Sequence, residues 1–182
     1  RGIVYLCEGP WDGMALWEVL QQTKETPDGL RPTSSVDASM AADANVLAVP
    51  GCSVFAEPWL PLFAGKDVRI MYDNDHPVVN AKTGKEVAPG AFAGLQRVAR
   101  MLKGTVASVS YLYWGAGGYC RDLPSGYDVR DALLAGSGAQ KGSIPLAARQ
   151  RGLEGLLERL REVPPEWGSS PNKGGRGKGS EG

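Results

Sequence analysis

Five acidic residues have the chemistry to act together on a charged substrate. They are Glu8, Asp12, Asp73, Asp75 and Asp128. Two carboxylates about 4 Å apart repel by about 4 kcal/mol at an effective dielectric constant of about 20, so a group of them needs raised pKa values or a bound cation. Oxygen ligands favour a hard cation such as Mg²⁺ or Mn²⁺, which proteins use for chemistry on phosphates. The residue types therefore indicate a metal-assisted phosphate site, provided that the fold gathers them.

The elements that must position these residues alternate between strands and helices. Short apolar, β-rich runs predict four strands, at 2–7, 45–50, 67–72 and 105–115. Apolar residues at helical spacing predict helices at 11–23, 91–104, 127–136 and 144–163, and a short helix broken by prolines at 55–65. This alternation is typical of an α/β fold whose parallel sheet is covered on both faces.

Three of the acidic residues lie just past the ends of predicted strands, which favours a shared site. Glu8 comes after the first strand, and Asp73 and Asp75 come after the third. The two aspartates are two positions apart, so their side chains face the same way if the extended geometry continues. Ligands of parallel sheets bind outside the carboxyl ends of the strands. We therefore expect these side chains to converge at that edge, with Asp128 reaching it from a loop.

Each of these residues also has an ordinary structural explanation. Asp12 could stabilise the start of a helix electrostatically, and Asp128 is a candidate N-cap. Glu8 could be a solvated turn residue, and the D-x-D pair could form an Asx-turn. His76, the only histidine, either contacts a metal or phosphate or is a polar loop residue.

The composition narrows the class of protein. The chain has 182 residues with 20 Lys+Arg against 20 Asp+Glu, so no global basic field attracts nucleic acid. Three cysteines without a paired or metal-binding spacing indicate a reduced protein without a zinc site, and we expect a cytoplasmic location. The sequence has no apolar stretch of about 18 residues, so no membrane association is expected.

The remaining segments set the expected domain limits. Residues 24–44 are rich in turn formers and predict a loop, and residues 76–90 predict an excursion with a small hairpin. Residues 164–182 are rich in Gly, Ser and Lys and predict a flexible linker or tail. We expect one domain over 1–163, with its core at about 3–135, within a longer protein.

Four motifs together resemble those of Toprim domains. "EGPWDGMAL" is similar to the first Toprim motif, a Glu-Gly pair followed by Asp and an apolar helix, and "YDND" is similar to the second, a D-x-D after a strand. "VLAVPGCS" stands at the place of the glycine turn between them, and "DLPSGYDVRDALL" resembles the segment that closes the primase version. The resemblance implies a Rossmann-like fold with a central four-stranded parallel sheet flanked by helices. It also implies Mg²⁺-dependent phosphoryl transfer on nucleic acid, for which Mn²⁺ can substitute.

The resemblance further implies roles for the acidic residues. Glu8 takes the place of the catalytic Glu of the family, a general acid or base. Asp73 and Asp75 take the metal-binding positions and complete the implied catalytic set. Asp12 and Asp128 match acidic residues that support metals in primase-type members. All five residues are therefore implied metal ligands.

The chain departs from the Toprim pattern at two places. Residues 76–89 separate the D-x-D pair from the next helix, which in the family commonly follows directly. Arg130 stands two positions after Asp128, where a second acid is often found. The next acid, Asp131, is therefore given no role.

The primase-like segment leads us to expect a DNA primase domain of the kind found in phage or plasmid replication proteins. Its activity would be nucleotidyl transfer, making RNA primers on a DNA template from nucleoside triphosphates, beside a helicase module or other replication proteins. A Toprim nuclease using the same carboxylates is one alternative. A non-catalytic module that binds DNA or a replication partner is another, although retention of Glu8 with both aspartates argues against it. An unrelated D-x-D phosphatase or glycosyltransferase is a minor option.

Overall fold

A five-stranded sheet forms the centre of the fold. The computed structural model describes residues 2–26, 29–32, 44–135 and 146–168. The strands in these ranges are β1 (Ile3–Cys7), β2 (Thr23–Thr26), β3 (Gly29–Pro32), β4 (Ala44–Ala48), β5 (Asp67–Met71), β6 (Val78–Val79), β7 (Glu86–Val87), β8 (Ser108–Leu112) and β9 (Leu160–Glu162). The central sheet has the order β4-β1-β5-β8-β9, and β2–β3 and β6–β7 form separate two-stranded hairpins.

Four neighbouring strands of the central sheet, β4, β1, β5 and β8, run parallel. Their ends are level, because Cys7 lies opposite Ala48 on one side and Met71 on the other. The chain therefore leaves these strands at a common edge, where Glu8 and Tyr72 are the next residues. The predicted α/β class with a mostly parallel sheet is confirmed, and the arrangement is compatible with a Rossmann-like fold.

Helices cover both faces of this sheet. They are α1 (Pro10–Gln22), α2 (Gly90–Leu102), α3 (Val129–Ala135) and α4 (Leu146–Glu158). α1, α3 and α4 pack over the face that buries Tyr5 and Cys7, whereas α2 and a 3₁₀ helix (Glu57–Phe63) cover the face that buries Leu6 and Ile70. Alternate side chains of a strand point to opposite faces, so burial of both faces explains the continuous apolar runs. Among the described residues, no helix has both the length and the apolar character needed to cross a membrane.

The sheet has a fifth strand where the sequence predicts helix. The predicted helix at 144–163 ends with α4, and β9 pairs antiparallel with β8. The backbone N–H of Val163 donates to the Val109 carbonyl at 3.2 Å and extends this pairing. The helical spacing of apolar residues continues to Leu160, but pairing with the open edge of β8 satisfies backbone groups of both strands and prevails. In the part of the chain that the structure describes, the central sheet therefore has five strands, of which one is antiparallel, rather than four.

Two hairpins interrupt the alternation of strands and helices. The β6–β7 hairpin lies in the 76–90 excursion, as predicted. The β2–β3 hairpin lies in the segment 24–44, so the loop predicted there is wrong for this part. In the sequence only Pro27 and Asp28 separate the two strands, and Gly29 begins β3. Pro, Asp and Gly are residue types favoured in tight turns, a hairpin signal that the polar composition of the segment concealed. Residues 33–43 lie outside the described residues.

The folded part extends beyond the boundary predicted at residue 163. A 3₁₀ helix (Pro165–Gly168) follows β9. The ring centroid of Trp167 lies 4.9 Å from that of Tyr111 and 5.4 Å from that of Phe92. Contacts of a large aromatic ring stabilise a segment whose Pro and Gly content suggests a linker. The rest of the predicted tail, 169–182, lies outside the described residues.

Candidate active site at the carboxyl edge of the sheet

The ends of β1 and β5 bring three of the five predicted site residues together. Glu8 directly follows β1, Asp73 follows β5 after one intervening residue, and Asp75 lies two residues further on. All three side chains are partly buried. Their charges act on one another, since Asp75 contributes to the raised pKa of Glu8 after burial, which is the larger cause. The three carboxyl groups therefore form one electrostatic cluster at the edge where ligands of α/β sheets bind.

The turn after β4 holds one oxygen of Glu8. The backbone N–H of Cys52 donates to Glu8 Oε1 at 3.2 Å. This turn packs tightly on α2, where a Cβ at Gly94 would lie 2.4 Å from the Cys52 carbonyl oxygen. Gly9, which follows Glu8, leaves room for the side chain of Asp12, because a Cβ at position 9 would lie 2.6 Å from Asp12 Oδ2. Two glycines thus allow the close packing that fixes Glu8.

Within the described part of the chain, two carboxylate oxygens at this edge are buried without a hydrogen-bond partner, Glu8 Oε2 and Asp73 Oδ1. Burial and the charge of Asp75 raise the pKa of Glu8, while hydrogen bonds from the backbone of Asp73 and Cys52 lower it. Burial, followed by the charge of Glu8, raises the pKa of Asp73 to about 8. A buried carboxylate oxygen without a donor is costly. Both positions therefore favour a proton or a cation.

Asp75 connects the cluster to α2. Its Oδ2 accepts the backbone N–H of Ala91, the second residue of α2, at 3.1 Å. A carboxylate at this position also interacts favourably with the positive end of the helix dipole. The hydrogen bond closes the base of the 76–90 excursion, so the exposed β6–β7 hairpin projects from the fold without separating Asp75 from its helix.

Asn74, between the two aspartates, is a positioning residue that the sequence analysis missed. Its side chain is fully buried. Its Nδ2 donates to the carbonyls of Cys120 (3.1 Å) and Pro124 (3.0 Å), and its Oδ1 accepts the Cys120 N–H at 2.7 Å. Its backbone N–H donates to the Tyr127 carbonyl at 2.9 Å. These contacts, which we call the Asn74 anchor, hold the segment 120–127 against the D-x-D turn. Strand alternation, which points Asn74 away from both aspartates, was the available signal.

His76 joins the Asn74 anchor. Its backbone N–H donates to Ser125 Oγ at 3.0 Å, and its ring Nε2 lies 3.0 Å from the Cys120 carbonyl oxygen. A carbonyl oxygen only accepts hydrogen bonds, so Nε2 carries the proton in this contact. The geometry favours the explanation of His76 as a polar loop residue.

Asp12 and Asp128, the other two predicted site residues, are bridged by Arg130. Both carboxylates are buried, with 4% and 6% of the residue exposed. Arg130 Nε donates to Asp12 Oδ1 at 2.9 Å and to Asp128 Oδ2 at 3.2 Å, and Nη2 donates to the same Asp128 oxygen at 2.5 Å. Burial and then the charge of Asp128 raise the pKa of Asp12, whereas the charge and the hydrogen bond of Arg130 act in the opposite direction. The bridge ties the first turn of α1 to the start of α3.

Asp128 also caps α3. Its Oδ1 accepts the backbone N–H of Asp131 at 2.8 Å, and Asp131 Oδ2 accepts the Asp128 N–H at 3.3 Å. This reciprocal pair is a capping box with Asp in place of the usual Glu, so the predicted N-cap is confirmed. Asp131 therefore has a structural role at the helix start.

The donor chemistry of the edge fits a hard cation, although no ligand cage is assembled. Across the described ranges, no three His, Cys, Asp or Glu side chains form a group that could hold a metal ion. Mg²⁺ is usually held by one or two carboxylates together with waters and substrate phosphates rather than by an all-protein cage. Glu8 Oε2 and Asp73 Oδ1, both without a hydrogen-bond partner, match that mode of binding.

Comparisons with known proteins gave no relative of this chain. No protein-family model, no curated protein and no solved structure matches it. The function is therefore inferred from the site and from the sequence motifs.

Proposed function

We propose that this chain is a Toprim-type catalytic domain that performs Mg²⁺-dependent nucleotidyl transfer and makes RNA primers on a DNA template. The observation that carries the proposal is the pair of buried, unpartnered oxygens, Glu8 Oε2 and Asp73 Oδ1, at the carboxyl edge of a mostly parallel sheet. Strongly perturbed carboxyl pKa values in such a place are typical of functional sites. The order of the "EG", "DND" and "LPSGYD" motifs adds the expectation of nucleic-acid chemistry.

Glu8 is the proposed proton acceptor. As the 3′-hydroxyl oxygen of the primer bonds to the α-phosphorus and the bond to pyrophosphate breaks, Glu8 Oε2 takes the hydroxyl proton. Burial and then the charge of Asp75 raise the pKa of Glu8 toward neutral pH. Acid–base catalysis is most effective when the pKa of the catalytic group lies near the working pH. The Cys52 N–H on Oε1 fixes the orientation of the carboxylate.

Asp73 and Asp75 are the proposed holders of the cation, with Glu8 beside them. These residues would hold Mg²⁺, or Mn²⁺ in its place, and a bound ion would supply charge neutralisation and orientation of the phosphates. Burial and then the charge of Glu8 raise the pKa of Asp73 to about 8, which favours its protonated form near neutral pH, and binding of a cation would need the deprotonated form. Asp75 keeps Oδ2 on the α2 backbone, which fixes its position.

The proposed substrates are a DNA template and nucleoside triphosphates. Because the chain has no net charge, long-range attraction contributes little to template binding. Local contacts or a partner, such as a helicase module or another replication protein, must therefore hold the template. Cleavage of phosphodiesters by the same carboxylates is the main alternative reaction. It would shorten a nucleic-acid strand, whereas nucleotidyl transfer lengthens one.

A primer-extension assay tests the proposal. The chain is incubated with an RNA primer annealed to a DNA template, nucleoside triphosphates and Mn²⁺, so that initiation is bypassed. We expect the primer to lengthen, with a loss of about 100-fold or more in Glu8→Gln and in Asp73→Asn. Glu86→Gln, which changes an exposed glutamate on β7, serves as the matched control and should retain activity.

The products decide between the alternatives. Shortened strands that depend on Glu8 would identify a nuclease. Full activity of Glu8→Gln in a chain of unchanged circular dichroism would remove the proposed proton acceptor. Neither lengthening nor shortening with either cation would reject a catalytic domain and favour the binding module.

A further inference from the structure

The carboxyl edge of the sheet is divided into two electrostatically different halves. In one half, Glu8 Oε2 and Asp73 Oδ1 are buried and have no hydrogen-bond partner among the residues that the structure describes. In the other half, Asp12 and Asp128 are more deeply buried but share the guanidinium of Arg130. Over the described ranges, the second half therefore has a paired cationic side chain and the first half has none.

The geometry of Arg130 is that of a bridging cation. Its Nε contacts both carboxylates, at 2.9 Å to Asp12 and 3.2 Å to Asp128, so one nitrogen lies between the two acids. The second contact to Asp128, from Nη2, fixes the plane of the guanidinium. A guanidinium keeps its charge at all accessible pH values, unlike a bound metal, whose occupancy depends on its concentration.

We propose that Arg130 is the built-in cation of the Asp12–Asp128 pair, so that this chain binds one divalent metal ion, in the half formed by Glu8, Asp73 and Asp75, rather than two. The inference rests on the proposed function, because it assumes a metal at Glu8 and Asp73. Arg130 donates hydrogen bonds to Asp12 Oδ1 and to Asp128 Oδ2. Without Arg130, these two oxygens would face one another as a buried pair. Two buried carboxylates so placed need either a proton or a cation, and Arg130 supplies the cation.

Counting bound Mn²⁺ tests the inference without any activity measurement. The whole chain is titrated with Mn²⁺, and bound ion is measured by electron paramagnetic resonance and by calorimetry. We expect one ion per wild-type chain and two per Arg130→Gln chain, because removal of the guanidinium opens the Asp12–Asp128 pair to metal. Arg130→Lys keeps a positive charge and should bind one ion. Arg100→Gln changes an exposed arginine on α2 and is the matched control, also with one ion.

A double variant locates the second ion. In Arg130→Gln/Asp128→Asn, the count should return to one, because a ligand of the second ion has lost its charge. A count that stays at two places the second ion elsewhere and overturns the inference. Should Arg130→Gln unfold in EDTA, refolding in Mn²⁺ with two ions bound supports the inference, and failure to refold in Mn²⁺ overturns it.

The failures of the two proposals are distinguishable. No bound ion in the wild type and in Arg130→Gln removes the metal site of the proposed function and, with it, this inference. Two ions in the wild type, or one ion in a folded Arg130→Gln chain, overturns the role of Arg130 alone and leaves the site at Glu8 and Asp73 standing.

Discussion

At the scale of single residues, the molecule keeps a carboxyl group in a place that favours its neutral form. Asp73 follows a buried strand, has one oxygen without a partner, and lies among the charges of Glu8, Asp12 and Asp128. A surface aspartate in a turn would have none of these features. Ionisation of a carboxyl group in this environment costs stability, which gives a test by pH.

We predict that Asp73 makes the protein less stable as the pH rises in the presence of EDTA. The ordinary pKa of 3.8 is raised to about 8 in the fold, so between these values the native state keeps a proton that the unfolded state releases. The favourable contribution is complete below the ordinary pKa and is lost as the pH rises through the native value. Urea denaturation across this range should therefore show a smaller free energy of unfolding at higher pH.

Asp73→Asn should flatten this pH dependence, since the amide does not titrate. Asp122→Asn, at an exposed aspartate, is the control and should keep the slope of the wild type. Equal slopes in the wild type and in Asp73→Asn would show that Asp73 titrates normally in the fold.

At the scale of elements, the Asn74 anchor determines how the loop before α3 meets the D-x-D turn. Through its buried side-chain amide, Asn74 is joined to Cys120, 46 positions away, and to Pro124, 50 positions away. It also places Asp128 and Arg130 near Asp12, because the segment 120–127 leads directly to them. The position of the second half of the site thus depends on a side chain that is not itself acidic.

We predict that Asn74→Ala destabilises the protein by about 1–3 kcal/mol, because it leaves the partly buried N–H of Cys120 without its partner and removes one donor each from the carbonyls of Cys120 and Pro124. Amide hydrogen exchange should accelerate first in residues 120–127. Asn80→Ala, in the exposed β6–β7 hairpin, also removes side-chain hydrogen bonds to the backbone and is the matched control. A loss of stability no larger than that of Asn80→Ala would show that the anchor is not a main determinant of the loop.

A second prediction at this scale concerns the segment after β9. Trp167→Ala should lower the free energy of unfolding by about 2 kcal/mol, less than a fully buried tryptophan, because its ring packs on Tyr111 and Phe92 but is partly exposed. Trp17→Ala, at a residue that is 54% exposed on α1, should change it by about 0.5 kcal/mol or less. Denaturant melts of both variants check this, and equal losses would place the boundary of the fold before Trp167.

The success of prediction from sequence differed between local and long-range features. The buried strand before Glu8 and the one before Asp73 are visible as apolar runs, and the rule for parallel sheets then places both carboxylates at one edge. β9 was missed because helical spacing continues to Leu160, and spacing carries no information about the open edge of β8. The Arg130 bridge to Asp12 spans 118 positions, so no local pattern contains it.

In the molecule as a whole, the acidic character of the site contrasts with the zero net charge of the chain. The carboxylates gather at one edge, yet the chain as a whole is neutral, with as many basic as acidic residues. Binding of a polyanionic template depends on clustered positive charge. The catalytic part and the template-holding part of the proposed activity are therefore separable.

We predict that the isolated chain extends an annealed primer but does not initiate primers on a bare single-stranded template. Initiation needs the template and two nucleotides held together, and a neutral chain supplies little general attraction for the template. Incubation with bare template, nucleoside triphosphates and Mn²⁺ should give no products above background, with the annealed primer as the positive control. Robust synthesis from bare template would show that this chain holds its own template.

Bound cation should also stabilise the whole fold. A ligand that binds only the native state adds about 1.4 kcal/mol at ten times its dissociation constant. Thermal melts in EDTA and in excess Mg²⁺ should therefore differ by a few degrees in the wild type and by less in Asp75→Asn, which has lost a ligand charge. An unchanged melting temperature of the wild type would remove the thermodynamic support for a metal at this edge.

The antiparallel strand β9 has a consequence for biosynthesis. All the acidic residues of the site precede residue 131, whereas the strand that covers the edge of β8 ends at Glu162. At a synthesis rate of about 5–20 residues per second, the parallel part of the sheet is available for roughly a few seconds before β9 is made. During this interval β8 offers unpaired backbone groups to any neighbouring chain. Slow translation between α3 and β9 should thus increase aggregation of the nascent protein, whereas a pause after Trp167 should not.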